Sequence, residues 1–219
     1  MKKIAVLISG QGRNLQAILE ACGDGRIPAK VCAVISDRVE AGGLQKAASA
    51  SVLQTVISYR EHKDRDTFCV SLASAIEATQ PDIVALAGFM RVLTPAFVEQ
   101  FSGRLLNIHP SLLPKHRGLH THRAALAAGD AEHGASVHFV TTELDGGPVV
   151  IQGRAPVRKG DTESTLAERV MQDIELKIYP QTLAWMARGE LAQHGSQVVF
   201  RNLARIAPLT LDDLDPEFR

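Results

Sequence analysis

Short apolar runs and amphipathic stretches alternate along the first half of the chain. Residues 4–9 (IAVLIS) are an unbroken apolar run rich in β-formers, which reads as a strand buried on both faces. Behind it Leu15, Ile18, Leu19 and Cys22 recur at i, i+3, i+4 and i+7, one face of a helix. The pattern then repeats. Strands are expected at 31–37 (VCAVISD), 53–58 (LQTVIS), 82–88 (DIVALAG) and 104–109 (RLLNIH), with helices at 41–50, 65–79 and 94–101. Pro81 stops the 65–79 helix. Thr94 and Pro95 supply the N-cap and first position of the next. Strands alternating with helices predict a parallel sheet covered on both faces.

After residue 110 the pattern changes. SLLPKHRGL is a loop, THRAALAAGD a helix with Thr121 as its cap, and residues 136–157 carry strand character on both sides of DGGP. That last stretch predicts antiparallel or mixed strands. DTESTL, with Thr162 and Ser164, is a capping pattern ahead of one long helix. The tail after Gly189 is weakly patterned. No repeat and no linker is visible. The expectation is a single α/β domain with a Rossmann-like, mostly parallel sheet flanked by helices, spanning residues 1–190, with a tail at 191–219.

Composition narrows the field. Of 219 residues 45% are hydrophobic, enough for a sizeable core, and 24 basic residues balance 24 acidic ones. Nothing in that balance points to a nucleic-acid groove or a membrane surface. No segment is long enough to span a bilayer. The apolar start runs into SGQGRN rather than a cleavage site, so it reads as a strand, not a leader. Cys22, Cys32 and Cys69 are an odd, unpaired set, expected as reduced, buried thiols in a cytoplasmic protein.

Four places carry candidate chemistry. GQGRN (10–14) joins the first strand to the first helix, where exposed backbone N–H groups suit a phosphate. A dinucleotide fingerprint, with Asp37 as the ribose acid, fails because Leu15 stands where the third glycine belongs. A single phosphate and a ligand-free tight turn both stay open. AGFMRVLTP (87–95) follows a strand end, where open parallel sheets bind ligands. There Met90 and Leu93 are candidates for an apolar slot and Arg91 for a carboxylate contact, against the simpler reading of a solvated arginine. Asn107 and His109 alternate along one strand and so share a face. They are candidate donors to an oxyanion, unless His109 is a hydrogen-bonded core histidine. Asp145 lies in ELDGGPVV, either as a plain Asp-Gly turn residue or as a partner that orients His109 and handles protons. Six of the eight histidines fall between His109 and His138. Their irregular spacing fits no metal motif, so they are expected as solvated or loop residues.

Taken together, SGQGRNLQAI, VISDR, DIVALAGFMRVLTPAFV, GRLLNIHPSLLPKHRGLHTHRAAL, GASVHFVTTELDGGPVV and GDTESTLAERV resemble the folate-dependent glycinamide ribonucleotide formyltransferases. The likeness runs in order from about residue 4 to about 190. NIHPSLLP and LDGGP mark the wider formyltransferase family, whereas SGxGxNL and AGFMR narrow it.

The resemblance implies a formyltransferase fold and direct transfer of a formyl group from 10-formyltetrahydrofolate to glycinamide ribonucleotide. It implies no metal and no covalent intermediate. Asn107, His109 and Asp145 match the catalytic trio. Gly12, Arg13 and Asn14 match the phosphate-side loop for the ribonucleotide, with Arg13 replacing a small residue. Glu175 matches a ribose contact, with one extra residue near it and Leu176 where the family has histidine. Arg65, the run Met90, Arg91, Val92 and Leu93, and the loop Thr141, Thr142, Glu143, Leu144 and Asp145, together with Asn107, match folate positions. The implied partners are small molecules, in the cytoplasm, for a monomer or homodimer. Related hydrolases carry a domain before the catalytic one. The tRNA and nucleotide-sugar enzymes carry longer C-terminal regions. The first strand at residue 4 and the short tail favour the ribonucleotide reaction over these and over a non-catalytic binding module.

Overall fold

The computed structural model describes residues 1–201 and 205–219. The chain divides into two compact units, Met1–Asn107 and Ile108–Arg219. In the first unit the apolar runs become β1 (Lys2–Ile8), β2 (Ala29–Ser36), β3 (Leu53–Val56), β4 (Ile83–Leu86) and β5 (Leu105–His109), the last of which runs on into the second unit. They are parallel, in the order β3-β2-β1-β4-β5. Ile4 to Ile8 are fully buried, which is why β1 reads as an unbroken apolar run. Each of its large side chains contributes about 2 kcal/mol of burial. The chain starts in mid-sheet, winds outward through β2 and β3, and returns to β4 on the other side of β1. That reversal opens a crevice beyond the carboxyl ends of β1 and β4.

Helices α1 (Arg13–Gly23), α2 (Gly43–Ser49), α3 (Arg65–Glu77) and α4 (Pro95–Gln100) connect these strands. Asp64 and Thr67 form a capping box at α3. Thr94 Oγ1 accepts from Phe97 N–H at 3.3 Å to cap α4, with Pro95 at the first position. β3 stops at Val56, two residues short of the expected strand, and is largely exposed at the sheet edge. The cysteines are free thiols. Cys69 is buried, but Cys22 and Cys32 are only half-buried. Cys22 is the penultimate residue of α1, and Cys32 lies in the half-exposed first half of β2.

The second unit is built on an antiparallel pair, β6 (Glu132–Phe139) and β7 (Val149–Pro156), with a bulge at Val137/His138. Thr121 does not cap α5 (Thr121–Ala128). The cap position belongs to His120, whose left-handed backbone (φ +60°) turns the chain just before the helix and carries Thr121 into its buried first turn. The expected long helix is three pieces: α6 (Glu163–Val170), a π turn (Met171–Glu175) and α7 (Leu176–Ala187). Thr162 caps α6 in a box with Thr165, not Ser164. Pro180 removes the donor that the Leu176 carbonyl would use in a regular helix, and the π turn ends at the residue before Leu176.

The tail is woven into this unit. β8 (Leu191–His194) and β9 (Gln197–Phe200) form a hairpin. Leu209 exchanges 2.9 Å hydrogen bonds with Val150 and Gln152 along β7. Leu214 and Phe218 are buried. Residues 202–204 of the expected tail lie outside the described residues.

Candidate active site

In the first unit the crevice is bordered by the β1–α1 turn. Gly12 is left-handed (φ +71°), and a Cβ there would stand 2.7 Å from the Gly43 Cα. No side chain caps α1, so its positive N-terminus is presented by backbone alone. Arg13 is half-buried and Asn14 buried in the first turn. Ser9 ties the crevice together: its N–H donates to the Gly88 carbonyl at 3.1 Å, and its Oγ accepts from Met90 N–H at 2.9 Å. Met90 and Val92 are exposed and Leu93 half-buried. Arg65 is exposed, at the first residue of α3.

Arg91 is not a solvated arginine. Its Nε lies 2.5 Å from Oδ2 of the fully buried Asp37, and its guanidinium stacks 4.3 Å over the Tyr59 ring. The carboxylate it meets belongs to its own unit. Asp37, Tyr59, Arg91, Ser9 and Gly10 line an open cleft of about 1190 Å³.

Asn107 and His109 occupy alternate positions at the end of β5, Asn107 half-buried and His109 buried. The His109 Nε2 donates to the His116 carbonyl at 2.9 Å. A carbonyl only accepts, so that nitrogen carries its proton. The other nitrogen, Nδ1, lies 3.5 Å from Asp145 Oδ2, and both side chains are about nine-tenths buried. The imidazole thus stands between a backbone carbonyl at one nitrogen and a carboxylate near the other. Asp145 has φ +47°, a left-handed conformation that Asp and Asn adopt more readily than most residues. Its Oδ2 also accepts from Gly118 N–H at 2.9 Å. Gly147 is enforced by space, since a Cβ there would meet the Phe139 carbonyl oxygen at 1.8 Å.

Of the other histidines in the 109–138 stretch, His116 and His120 are loop residues as expected, the first half-buried and the second exposed, but His133 and His138 are buried on β6 and His122 is half-buried on α5. The reason is that β6 is buried along nearly its whole length. Burial drives the pKa of both His133 and His138 down to about 4. His133 Nε2 and His122 Nδ1 share a 3.0 Å hydrogen bond, and His116 Nε2 donates to Asp130 Oδ2 at 2.7 Å.

His138 is the neighbour that sequence reasoning missed. Its Nδ1 donates to the Phe139 carbonyl at 2.9 Å, which leaves Nε2 3.8 Å from Asp145 Oδ1. The available signal was a histidine inside the apolar alternation SVHFV. In the turn after β6, Thr141 Oγ1 donates to the Glu143 carbonyl at 3.4 Å, Glu143 pairs with Arg117, and Thr142 and Leu144 are exposed. Glu175 is buried in the π turn. Among the described residues no group of three His, Cys, Asp or Glu is arranged to hold a metal ion.

A doubly wound sheet, a glycine-rich turn opening a helix, and a buried His–Asp pair at a strand end are the marks of an α/β protein with places for a ligand and for proton chemistry. The formyl transferase family model matches residues 2–183, and the chain belongs to that family. Phosphoribosylglycinamide formyltransferase of Escherichia coli is 51% identical over 191 residues, which cover 87% of this chain and 90% of that protein. The enzyme of the same name from Coxiella burnetii superposes with a TM-score of 0.86 at 47% identity, covering 91% of this chain and 93% of that one. Glycinamide ribonucleotide transformylase 1 of Symbiobacterium toebii superposes at 0.88 with 43% identity, covering 91% and 94%. The fold is thus the mostly parallel α/β fold of these enzymes, with helices flanking the sheet.

Proposed function

We propose that this chain transfers the formyl group of 10-formyltetrahydrofolate to the primary amine of glycinamide ribonucleotide, giving formylglycinamide ribonucleotide and tetrahydrofolate, a step of purine biosynthesis. The observation that carries the reading is the buried His109–Asp145 pair, 3.5 Å apart, with His109 Nε2 already committed to a backbone carbonyl. It fits a reaction in which an amine adds to the formyl carbon and negative charge gathers on the formyl oxygen.

In this reading Asn107 donates to that oxyanion and His109, held as imidazolium by Asp145, stabilises its charge. Preorganised donors of this kind are worth more in a water-poor site than in water. Asp145 also helps to carry the proton that the amine loses to the N10 nitrogen that leaves. Gly12, Arg13 and Asn14, at the uncapped start of α1, hold the phosphate. Glu175 holds the ribose. Arg65 and Arg91 take anionic parts of the folate. Met90, Val92 and Leu93 offer apolar surface to its rings, and the loop from Thr141 through Thr142, Glu143 and Leu144 to Asp145 closes on it. Residues 1–190 carry catalysis and 191–219 support the second unit. The protein works in the cytoplasm as a monomer or homodimer.

The test follows the absorbance of a 10-formyl folate analogue with and without glycinamide ribonucleotide. Loss that requires the ribonucleotide is the expected result. Equal loss without it makes water the acceptor and the chain a deformylase. No loss in either case overturns the reading.

A further inference from the structure

Residues 115–118 contact both members of the His109–Asp145 pair. The carbonyl of His116 accepts from His109 Nε2 at 2.9 Å, and two residues on the N–H of Gly118 donates to Asp145 Oδ2 at 2.9 Å. The orientation of the imidazole and of the carboxylate therefore depends on one short turn. His116 itself is left-handed at φ +51°, a sparsely populated region for a residue other than glycine, so contacts that fix it there matter to the turn.

The contact that holds it is a carboxylate outside the site. His116 Nε2 donates to Asp130 Oδ2 at 2.7 Å, and Lys115 Nζ donates to Asp130 Oδ1 at 2.9 Å. Asp130 is anchored in turn, its N–H donating to the Ala125 carbonyl of α5 at 3.1 Å. Its acidity rises through the His116 and Lys115 hydrogen bonds, so it stays a carboxylate across the neutral range. The other end of the turn is held by Ser111, whose Oγ donates to the Lys115 carbonyl at 2.6 Å. Lys115 is mostly exposed, whereas His116 is 17% and Asp130 14% exposed. The inner bond, His116 to Asp130, is therefore the stronger tether, because solvent screens the outer one.

We infer that Asp130 and His116 are positioning residues for the proposed reaction: Asp130 grips the His116 side chain so that the His116 carbonyl holds the Nε2–H and the aim of His109. The inference rests on the catalytic reading of His109 and Asp145. It adds that neither Asp130 nor His116 touches substrate, and that their loss lowers turnover through His109.

The test uses the full chain labelled with 15N-histidine. Two quantities are read: steady-state formyl transfer, and the NMR resonance of the His109 Nε2–H, protected by its bond to the His116 carbonyl. Asp130→Ala is expected to lower kcat at least tenfold, since small misplacements of a reacting group are costly, with both KM values within about threefold and the resonance shifted or exchanged away. His116→Asn tolerates the left-handed backbone but is too short to reach Asp130, and should act the same way. It decides the matter if Asp130→Ala does not fold. Lys115→Ala should stay within about twofold of the parent. A normal kcat and an unchanged resonance in Asp130→Ala, or in His116→Asn where that variant decides, overturns the inference. Asp145→Asn is the reference for the underlying reading: if it turns over normally, the catalytic assignment fails, while the resonance in Asp130→Ala still judges whether the tether positions His109.

Discussion

Replacing Asp145 by asparagine isolates one charge. The substitution keeps shape, keeps an oxygen to accept from Gly118 N–H, and suits the left-handed backbone at φ +47°, because asparagine is among the residues that tolerate it. What goes is the carboxylate 3.5 Å from His109 Nδ1. At an effective dielectric of about 20, two unit charges at that separation attract by about 5 kcal/mol. The cost of desolvating both groups offsets much of this. What remains is set by comparison with removing one oxyanion donor, which costs about 3–4 kcal/mol. Turnover of Asp145→Asn should fall about a hundred- to a thousandfold. KM for the ribonucleotide and for the folate should stay within about threefold, since uniform binding is untouched. Steady-state formyl transfer with each substrate varied in turn measures all three quantities. A kcat within threefold of the parent would refute the argument. So would a loss confined to the folate KM, which would make Asp145 a binding residue only.

Three further outcomes are expected. Gly147→Ala drives a Cβ to 1.8 Å from the Phe139 carbonyl oxygen; overpacking of this kind costs about 2–3 kcal/mol, and thermal unfolding should show a fall of roughly 5–10 °C in Tm. Arg91→Ala leaves the fully buried Asp37 carboxylate with Arg38, 3.6 Å away, as its ion pair among the described residues, and should cost about 2–3 kcal/mol in urea unfolding; equal stability would mean that the cleft hydrates Asp37 freely. Stability should also fall with acid, because His133 and His138 titrate near 4 when folded against 6.5 as the ordinary value. Between those pH values the unfolded chain binds more protons, so the loss begins as pH drops through 6.5 and is complete below 4. A His133→Gln/His138→Gln double variant with the parent's acid slope in Tm against pH would remove these histidines as the cause.

The parallel half was legible because burial on both faces writes itself as continuous apolar runs. β1 and β4 are found for that reason, although β4 is Ile83–Leu86 against the expected 82–88, and β3, exposed at the sheet edge, stops two residues short. The Asn107–His109 face was legible from alternation alone. What no pattern carried was the chain's return from distant positions. Nothing local tells that His116 and Gly118 come back to His109 and Asp145, that Asp37 takes Arg91, or that β6 buries His133 and His138. These are pairings across 7 to 54 residues of sequence, and periodicity reports only on neighbours. Thr121 failed for a related reason: its type suits a cap, but a left-handed His120 took the position.

Glu175 stands between these cases. The family resemblance implies a ribose contact there, and no local rule says which way its side chain turns. The structure has a π turn over Met171–Glu175, inside what reads as one helix. A π turn is an α-helix with one residue inserted, so it rotates everything after it by about 100° without breaking the rod. The rotation keeps α7 buried along Ile178 to Trp185, and it leaves Glu175 itself 5% exposed on the inner side of the turn. A buried carboxylate is costly unless it has partners, and π turns gather at functional sites because the insertion is otherwise only a loss of helix geometry. The π turn and the acid at its end are thus one local feature: a carboxylate on the inside of a helix whose neighbouring positions are apolar.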